Sequence, residues 1–342
     1  MRALGSRRGG RGCGGGPPGR ANRSAFFLLS RSPRLTPLSS LTRPHPATHR
    51  YDHHQKEFQD GFGHGFTTRL SSAGLVYKHF GREVVKGLLA ADTHPAAPPQ
   101  PLDDATVDAV YLATYRSFLE AVDAIDNGVN RFPGAVGPPA YASSTDLAAR
   151  VGGLNPAWND PDQGDGATNA GFAEAVAMTG EAFEDAVLYN ARHWLPARNI
   201  VAAAVAGRHA VDPSGAVIEL SHFCPWKSHL YEMEAEDAAL AASPVKFCIF
   251  QDDREGAWRV QCLPDCPGSF KNRLSLPAPL CGLRGEALDA AGAAGIAGVT
   301  PPPGGVFIHV SGFTGGHASR EGALAYARAA LAAEAEAGAA AK

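Results

Sequence analysis

Acidic side chains are absent from the first fifty residues, which contain ten Arg but no Lys, Asp or Glu. Gly and Pro are dense there, and the stretch from Ser24 to Leu41 mixes Ser, Pro, Arg and Leu. This Arg-rich, acid-free composition is typical of an organelle transit peptide. A disordered tail or a mistaken gene start in GC-rich DNA predicts the same composition, so we expect residues 1–49 to be one of these three.

The chain also lacks the patterns of a zinc knuckle and of a membrane span. No run of eighteen apolar residues occurs, which excludes a transmembrane helix and a membrane partner. Cys262 and Cys266 are separated by three residues, which is poor zinc spacing, and no C-x-x-C pair exists. We therefore expect free, mostly buried thiols at the six positions Cys13, Cys224, Cys248, Cys262, Cys266 and Cys281.

The composition suits one large or two medium globular domains, because 44% of the 342 residues are hydrophobic and 19% are charged. The net charge of -3 demands no polyanionic partner, so a nucleic-acid role would need a local basic surface. There is no H-E-x-x-H pattern and no nucleophile motif, which argues against a protein hydrolase. The sequence does not determine the oligomeric state.

Apolar spacings of three and four predict helices in the first two thirds of the chain. One spans 67–81, with Thr67 as N-cap and Gly81 as its end. A second spans 104–126 after an Asp cap and ends at an Asn-Gly pair. A third spans 172–206 with a kink or break at Pro196. The predicted buried positions are Val107, Val110, Tyr111, Phe118, Val122, Ile125, Val176, Phe183, Val187, Trp194 and Ile200.

After residue 212 the pattern changes to β-branched and aromatic runs, which predict strands at 217–220, 245–250, 258–263 and 306–310. The polar segment 251–256 predicts a hairpin between the second and third of these strands. An Ala-rich helix is predicted from Ser319 to about Glu336.

The string Asp52-His53-His54 offers one carboxylate and two imidazoles within three residues. On a regular strand the two imidazoles would point to opposite faces, whereas in a loop both can turn toward one site. An acidic oxygen ligand favours Mn²⁺ or Mg²⁺ over a closed zinc site. Asp52 either coordinates the ion or fixes an imidazole tautomer from outside the ligand shell. A solvated surface patch is the alternative.

Two more carboxylates, Asp123 and Asp126, lie where the second predicted helix ends. The negative end of the helix dipole repels a carboxylate, so acids at this position are easier to explain beside a cation. The alternative is that both lie on a solvated helix face.

Nine segments carry a resemblance to a known family. The segments occur in the order Tyr51–Gln55, Leu70–Tyr77, Asp123–Gly128, Leu154–Trp158, Trp194–Arg198, Val211–Gly215, Cys224–Lys227, Trp258–Gln261 and His309–Gly316. With these segments the chain resembles the melanocyte-proliferating-gene exonuclease family, a eukaryotic branch of the DHH phosphoesterase superfamily, over about residues 50–333.

The resemblance implies an α/β fold of two domains. Residues 50–206 would form an incomplete DHH-type domain, a parallel sheet with helices whose first strands are missing. Residues 207–336 would form an α/β domain with a mixed sheet that binds substrate, and 337–342 would be a tail. The implied activity is 3′-to-5′ exonuclease action on RNA, in the mitochondrion, the nucleus (nucleolus) or both.

The resemblance also implies roles for single residues. His53 and Asp126 would ligate two Mn²⁺ or Mg²⁺ ions about 3.5–4 Å apart. His54, with Asp52 beside it, would face the scissile phosphate as a catalytic residue. Substrate would be bound by a glycine-rich loop and by basic side chains, namely His309, Gly312, Gly315, Gly316, Arg259, Lys227 and Arg284. Glycines required by a tight turn, and ordinary surface charges, are the alternatives.

One part of the family pattern has no counterpart here. The family begins with a strand and the motif T-H-N-G-x-F-H-x-D-E, and a second strand then supplies a bridging Asp. Residues 1–50 contain no carboxylate and only two imidazoles, His45 and His49. Of the family's ligands the chain keeps His53 and Asp126, so we expect a truncated or wrongly assigned N-terminus and impaired activity. The alternative function is non-catalytic binding of RNA or of a partner.

Overall fold

A computed structural model of the chain describes residues 51–54, 58–131, 143–253 and 256–340. The contacts divide the chain into two units. The smaller unit comprises Met1–Phe58 with Ser144–Glu181, and the larger comprises Gln59–Ser143 with Ala182–Lys342. Residues 1–49 and Cys13 lie outside the described residues, and the predicted domain boundary after residue 206 stays a prediction.

The described residues form an α/β structure, which confirms the predicted fold class at this level. No helix among them is long and apolar enough to cross a membrane. The helices are α1 (Ser72–Ala90), α2 (Asp104–Thr114), α3 (Glu120–Asp126), α4 (Leu147–Gly152), α5 (Asp165–Tyr189), α6 (Leu195–Ala206), α7 (Arg208–Val211), α8 (Lys227–Glu236), α9 (Ala238–Ala242), α10 (Gly285–Ala293) and α11 (Arg320–Ala340). The strands are β1 (Gly61–Gly63), β2 (Phe66–Arg69), β3 (Val217–Glu219), β4 (Phe247–Gln251), β5 (Trp258–Cys262), β6 (Gly305–Ile308) and β7 (Thr314–His317).

The first helix begins later and ends later than the predicted 67–81. Thr67 lies in β2, and the N-cap is Ser71, whose side chain accepts hydrogen bonds from the amides of Ala73 and Gly74. Gly81 does not end the helix. It is buried within α1, where a Cβ would lie 2.7 Å from the ring of Tyr77. The glycine therefore serves close packing.

The second predicted helix contains a π-helical segment, Tyr115–Leu119, between α2 and α3. Such a segment adds about one residue to a turn, so buried positions beyond it move by one. Leu119 and Asp123 are buried, whereas Phe118 and Val122 are half-buried and Ile125 is 58% exposed. The predicted stripe is thus correct before the segment and wrong after it. The helix ends as predicted, at Asp126 before the Asn-Gly pair, with Gly128 at φ +66°.

The third predicted helix is also interrupted by a π-helical segment, Asn190–Trp194. It joins α5 to α6, and Pro196 lies in the first turn of α6, which agrees with the predicted break. Phe183 and Val187 are buried as predicted. The last helix, α11, continues to Ala340, four residues beyond the predicted end and into the predicted tail.

The main sheet has five strands in the order β3-β4-β5-β7-β6 and lies in the larger unit. β3 pairs with β4 in parallel and the remaining pairs are antiparallel, which confirms a mixed sheet. The four predicted strands and the hairpin between β4 and β5 are confirmed to within about two residues.

Two hydrophobic clusters lie on opposite faces of this sheet, since side chains alternate along a strand. The first joins Val217, Ile249 and Val260 to α10 and α11. The second joins Ile218 and Cys248 to α6 and α8. The second cluster includes side chains of β3 and β4 but none of β5, β6 or β7. On that face, the described helices α6 and α8 pack against β3 and β4.

Candidate active site

The Asp52-His53-His54 string lies in the smaller unit and forms no regular strand. One ligating atom from each residue lies within 4.8 Å of the others, so both imidazoles can contribute to the same site. Their ring centroids are 4.1 Å apart. His53 is buried at 4% exposure, whereas the side chain of His54 is 78% exposed.

Hydrogen bonds within the string fix its geometry. Asp52 Oδ1 accepts the backbone amide of His54 at 3.0 Å and lies 3.1 Å from His54 Nδ1. The amide hydrogen bond holds the pKa of Asp52 below its ordinary value, so this carboxylate is ionised at neutral pH. In the tautomer with its proton on Nδ1, His54 donates to Asp52 and presents the lone pair of Nε2.

The donor set suits a divalent cation. Two imidazole nitrogens and a carboxylate oxygen are ligands that Mn²⁺ accepts readily and Mg²⁺ accepts through the oxygen. His54 is accessible from solvent and His53 is held by the fold, so one imidazole can ligate and the other can exchange a proton. Three donors leave coordination positions for water or substrate.

Asp123 is fully buried in the larger unit. Its Oδ1 accepts the amide and the hydroxyl of Ser71 at 2.9 and 2.6 Å, and its Oδ2 accepts the Tyr115 hydroxyl at 2.7 Å. Ser71 caps α1, so the carboxylate also lies beside the positive end of that helix dipole. Donors at a helix N-terminus therefore stabilise this charge, and a cation is not needed to explain it.

Asp126, the predicted metal ligand, is exposed at the last residue of α3. The next residue, Asn127, is bonded to Arg69, which directly precedes the segment Leu70–Tyr77 of the resemblance. Its Oδ1 accepts Arg69 Nε at 2.6 Å and its Nδ2 donates to the Arg69 carbonyl at 2.9 Å. This end of α3 is thus fixed to β2. A ligand role for Asp126 stays a prediction.

The glycine-rich segment His309–Gly316 is the turn between β6 and β7 followed by β7 itself. Gly312 lies in the turn with φ +66°, and Gly315 and Gly316 are buried in β7 between β5 and β6. His309 is exposed, and Phe313 packs edge-on against it at 4.7 Å. Turn geometry and close strand packing account for these glycines, while His309 remains available to a ligand.

The predicted phosphate-binding side chains lie on different elements of the larger unit. Arg259 is on β5 directly opposite Gly316 of β7, and its guanidinium pairs with Asp252 at 3.1 Å. Lys227 is the first residue of α8, with its Nζ 5.7 Å from the ring centroid of Trp226. The structure thus brings Arg259 and Gly316 together.

A comparison with known families decides the assignment. The model of MYG1_exonuc, an uncharacterised protein family (UPF0160), matches residues 43–331. The chain belongs to the MYG1 family. This confirms the family expected from the nine sequence segments, and the names of its relatives support a nuclease function.

Relatives in the MYG1 family extend from mammals to yeast. The chain is 43% identical to the MYG1 exonuclease of Rattus norvegicus over 91% of its length and 78% of that protein. It is 44% identical to the MYG1 exonuclease of Homo sapiens over 84% of its length and 71% of that protein. It is 37% identical to a MYG1 protein of Saccharomyces cerevisiae over 82% of its length and 78% of that protein. No solved structure matched the chain.

Sequence reasoning missed two residues of this MYG1 chain. The sequence does not distinguish Asp123 from Asp126, because the π-helical segment turns Asp123 inward and an apolar periodicity of 3.6 does not reveal this. Phe307 was not singled out, yet its ring lies beside two guanidinium groups, at 5.1 Å from Arg259 and 5.6 Å from Arg284. The alternation of β6 residues after Gly305 was the available signal for it.

Proposed function

We propose that this chain is a metal-dependent phosphodiester hydrolase of the DHH type that removes nucleotides from the 3′ end of RNA. The observation that carries the proposal is the Asp52-His53-His54 group, with its ligating atoms within 4.8 Å of one another. The printed names of the relatives support nuclease chemistry. The choice of RNA and the 3′-to-5′ direction rest on the resemblance of the sequence segments.

The residues of the group have separate roles in this proposal. A divalent ion, Mn²⁺ or Mg²⁺, supplies an acidified water and neutralises charge on the phosphate. His53, which the fold buries, binds the ion. The family resemblance implies Asp126 as a further ligand. His54 has its Nδ1 held by Asp52, so its Nε2 takes a proton from water or gives one to the leaving oxygen.

The test is hydrolysis of a single-stranded RNA oligonucleotide labelled at its 5′ end. With Mn²⁺ we expect a ladder of progressively shorter labelled products, because removal from the 3′ end leaves the label on the chain. A chelator abolishes the ladder. His54→Ala removes an exposed side chain and should abolish it with little change in thermal unfolding.

The matched control is His222→Ala, which removes an exposed imidazole in the larger unit. It should leave the product ladder unchanged. Immediate release of a labelled mononucleotide would overturn the 3′-to-5′ direction. Hydrolysis that persists in His54→Ala at the normal rate would overturn the assigned site.

A second candidate function is binding of RNA or of a protein partner without catalysis. It is favoured by the number of ligands, since the described residues supply one group of three and a two-metal centre needs more. For the proposed hydrolase, the same shortage of ligands predicts an impaired enzyme, so we expect residues 1–342 to bind Mn²⁺ weakly and to degrade RNA slowly. RNA affinity that is insensitive to chelator, with no product at any metal concentration, would favour this second function.

We also propose that the protein resides in the mitochondrion, the nucleus or both. The Arg-rich and acid-free composition of residues 1–50 supports the first. Fusion of these residues to a fluorescent protein should direct it to mitochondria, and a diffuse cytosolic signal would contradict that assignment.

A further inference from the structure

A cavity of about 350 Å³ lies in the larger unit, where the β1–β2 hairpin meets α1 and α2. Its apolar wall consists of Phe62, Tyr111 and Leu112, and the two rings are buried. A cavity of this volume with a largely apolar lining is the usual form of a small-molecule site. None of the lining residues belongs to the Asp52-His53-His54 group or to the nine segments of the family resemblance. The family pattern therefore gives this cavity no role.

The two rings of the apolar wall are held in place by their neighbours. Phe62 stacks on Tyr115, with ring centroids 3.6 Å apart and planes 4° from parallel. The Tyr111 ring lies 5.2 Å from Phe62, and its hydroxyl donates to the Lys78 carbonyl at 3.2 Å. A ligand does not have to order these side chains, which lowers the entropic cost of binding.

The rim of the cavity carries two cations that are fixed but not saturated. Lys78 and Arg82 lie four residues apart on α1 and therefore share one face of the helix. Lys78 Nζ donates to the Gly61 carbonyl at 2.7 Å, and the Arg82 guanidinium pairs with Asp108 of α2. Since an ammonium has three N–H groups and a guanidinium has five, both keep donors for a ligand. With one carboxylate against two cations, the rim favours an anion.

The third basic side chain of the rim is His64, in the turn between β1 and β2. Its φ of +54° lies in the left-handed region, between Gly63 at +90° and Gly65 at +85°. Glycine adopts such angles without the steric cost that a Cβ brings. A strained residue that lines a cavity indicates that its side chain has a use there.

We propose that this cavity binds a small phosphomonoester that carries an apolar group. Lys78 and Arg82 hold the phosphate from the helix side and His64 donates to it from the hairpin side, while the apolar group packs on the apolar wall. A phosphate offers more acceptor oxygens than a carboxylate to donors on two sides of a cavity. The inference does not depend on the proposed hydrolysis, because it uses none of the residues of that site.

The experiment is a calorimetric titration of the full chain with phenylphosphonate, which resembles a phosphomonoester and has no ester bond to hydrolyse. Chelator is present, so no metal contributes to binding. Lys78→Gln removes one charged donor and leaves the Arg82–Asp108 pair intact, and it should weaken binding about tenfold. Lys86→Gln is the matched control, an exposed lysine about two turns further along α1 that does not line the cavity. It should bind like wild type.

Two further variants keep the charge of the two cations and change the space or the turn. Leu112→Trp fills the cavity and should abolish binding of phenylphosphonate. His64→Gly relieves the backbone strain, so it should weaken binding while its melting temperature does not fall. Inorganic phosphate, which lacks the apolar group, and phenol, which lacks the charge, should each bind wild type more weakly than phenylphosphonate does.

The inference is overturned if wild type does not bind phenylphosphonate, or if Lys78→Gln and Lys86→Gln bind it equally well. Wild-type affinity in both Leu112→Trp and His64→Gly would also overturn it. Adenosine 5′-monophosphate then distinguishes the source of the phosphate. Binding tighter than that of phenylphosphonate supports the site as one for nucleotides, and weaker binding supports it as one for other phosphomonoesters.

Discussion

Asp123 and Ser71 are joined by two hydrogen bonds, from the Ser71 amide at 2.9 Å and from its hydroxyl at 2.6 Å to the same carboxylate oxygen. They are 52 residues apart and belong to two different segments of the family pattern. Because Ser71 also caps α1, the pair ties the end of one helix to the start of another. The acidic residue that is fixed in the structure is thus Asp123, while Asp126 stays at the surface.

Asp123→Asn should destabilise the protein by about 2–4 kcal/mol. The amide that replaces the carboxylate cannot accept from both Ser71 and Tyr115 as a charged group does, so buried donors lose their partners. Chemical denaturation measures the change. Asp126→Asn is the matched control on the same helix and should cost under about 0.5 kcal/mol, as exposed substitutions do.

The same pair of variants separates stability from activity. If Asp126 ligates a metal, Asp126→Asn lowers Mn²⁺-dependent hydrolysis while its unfolding curve stays that of wild type. Full activity in Asp126→Asn would remove that residue from the proposed ligand set.

Gly74→Ala should destabilise the protein although it lies within a helix. A Cβ at Gly74 would collide with both carboxylate oxygens of Asp123, so α1 or the carboxylate has to shift, at a cost of about 1–3 kcal/mol. Gly87→Ala is the control on the same helix, where nothing lies within 4 Å of the new Cβ. It should stabilise by about 0.5–1 kcal/mol. Equal melting temperatures for the two variants would contradict the packing of Asp123 against α1.

Part of the structure can be predicted from the sequence and part cannot. Four of the five strands of the main sheet follow from short β-branched and aromatic runs, and their predicted positions agree with the structure. The fifth, β7, has the sequence Thr-Gly-Gly-His, which carries no such signal. The candidate cation site also follows from local sequence, because three adjacent residues supply its possible donors. Long-range hydrogen bonds such as that of Asp123 with Ser71 have no local signal.

The predicted buried positions and the predicted end of the first helix were wrong for two physical reasons. The π-helical segment Tyr115–Leu119 shifts the buried face by one residue, so a constant helical period placed Ile125 in the core although it is exposed. The sequence predicts a helix end at Gly81 because glycine commonly ends helices, yet the role of this glycine is to admit two tyrosine rings. Both errors come from tertiary packing that overrides local propensity.

A pH-dependent ion pair joins the end of α1 to the segment before α6. Arg192 donates to Asp92 through Nε at 2.7 Å and through Nη2 at 2.6 Å, and these bonds lower the pKa of Asp92 from 3.8. A carboxyl whose pKa is lowered by folding stabilises the native state above its unfolded pKa. That contribution is lost as the pH falls through the lowered value.

Asp92→Asn should therefore lower the free energy of unfolding near pH 7 by about 1–3 kcal/mol, with the difference from wild type shrinking below about pH 4. Urea denaturation at a series of pH values measures it. Glu83→Gln, an exposed change on α1, should give a small difference that is independent of pH. A difference for Asp92→Asn that stays constant from pH 7 to pH 3 would contradict the account.

The most direct test of the account is Mn²⁺ binding at Asp52-His53-His54, followed by loss of the free-ion EPR signal. Wild type should take up Mn²⁺, and His53→Ala should lose that uptake, because His53 is the proposed ligand of the group. Asp52→Asn should weaken the affinity by about 10- to 100-fold, since its carboxylate is the acidic oxygen of the group. His222→Ala should titrate like wild type. Identical Mn²⁺ uptake by wild type and His53→Ala would contradict the central claim that the Asp52-His53-His54 group holds the metal ion.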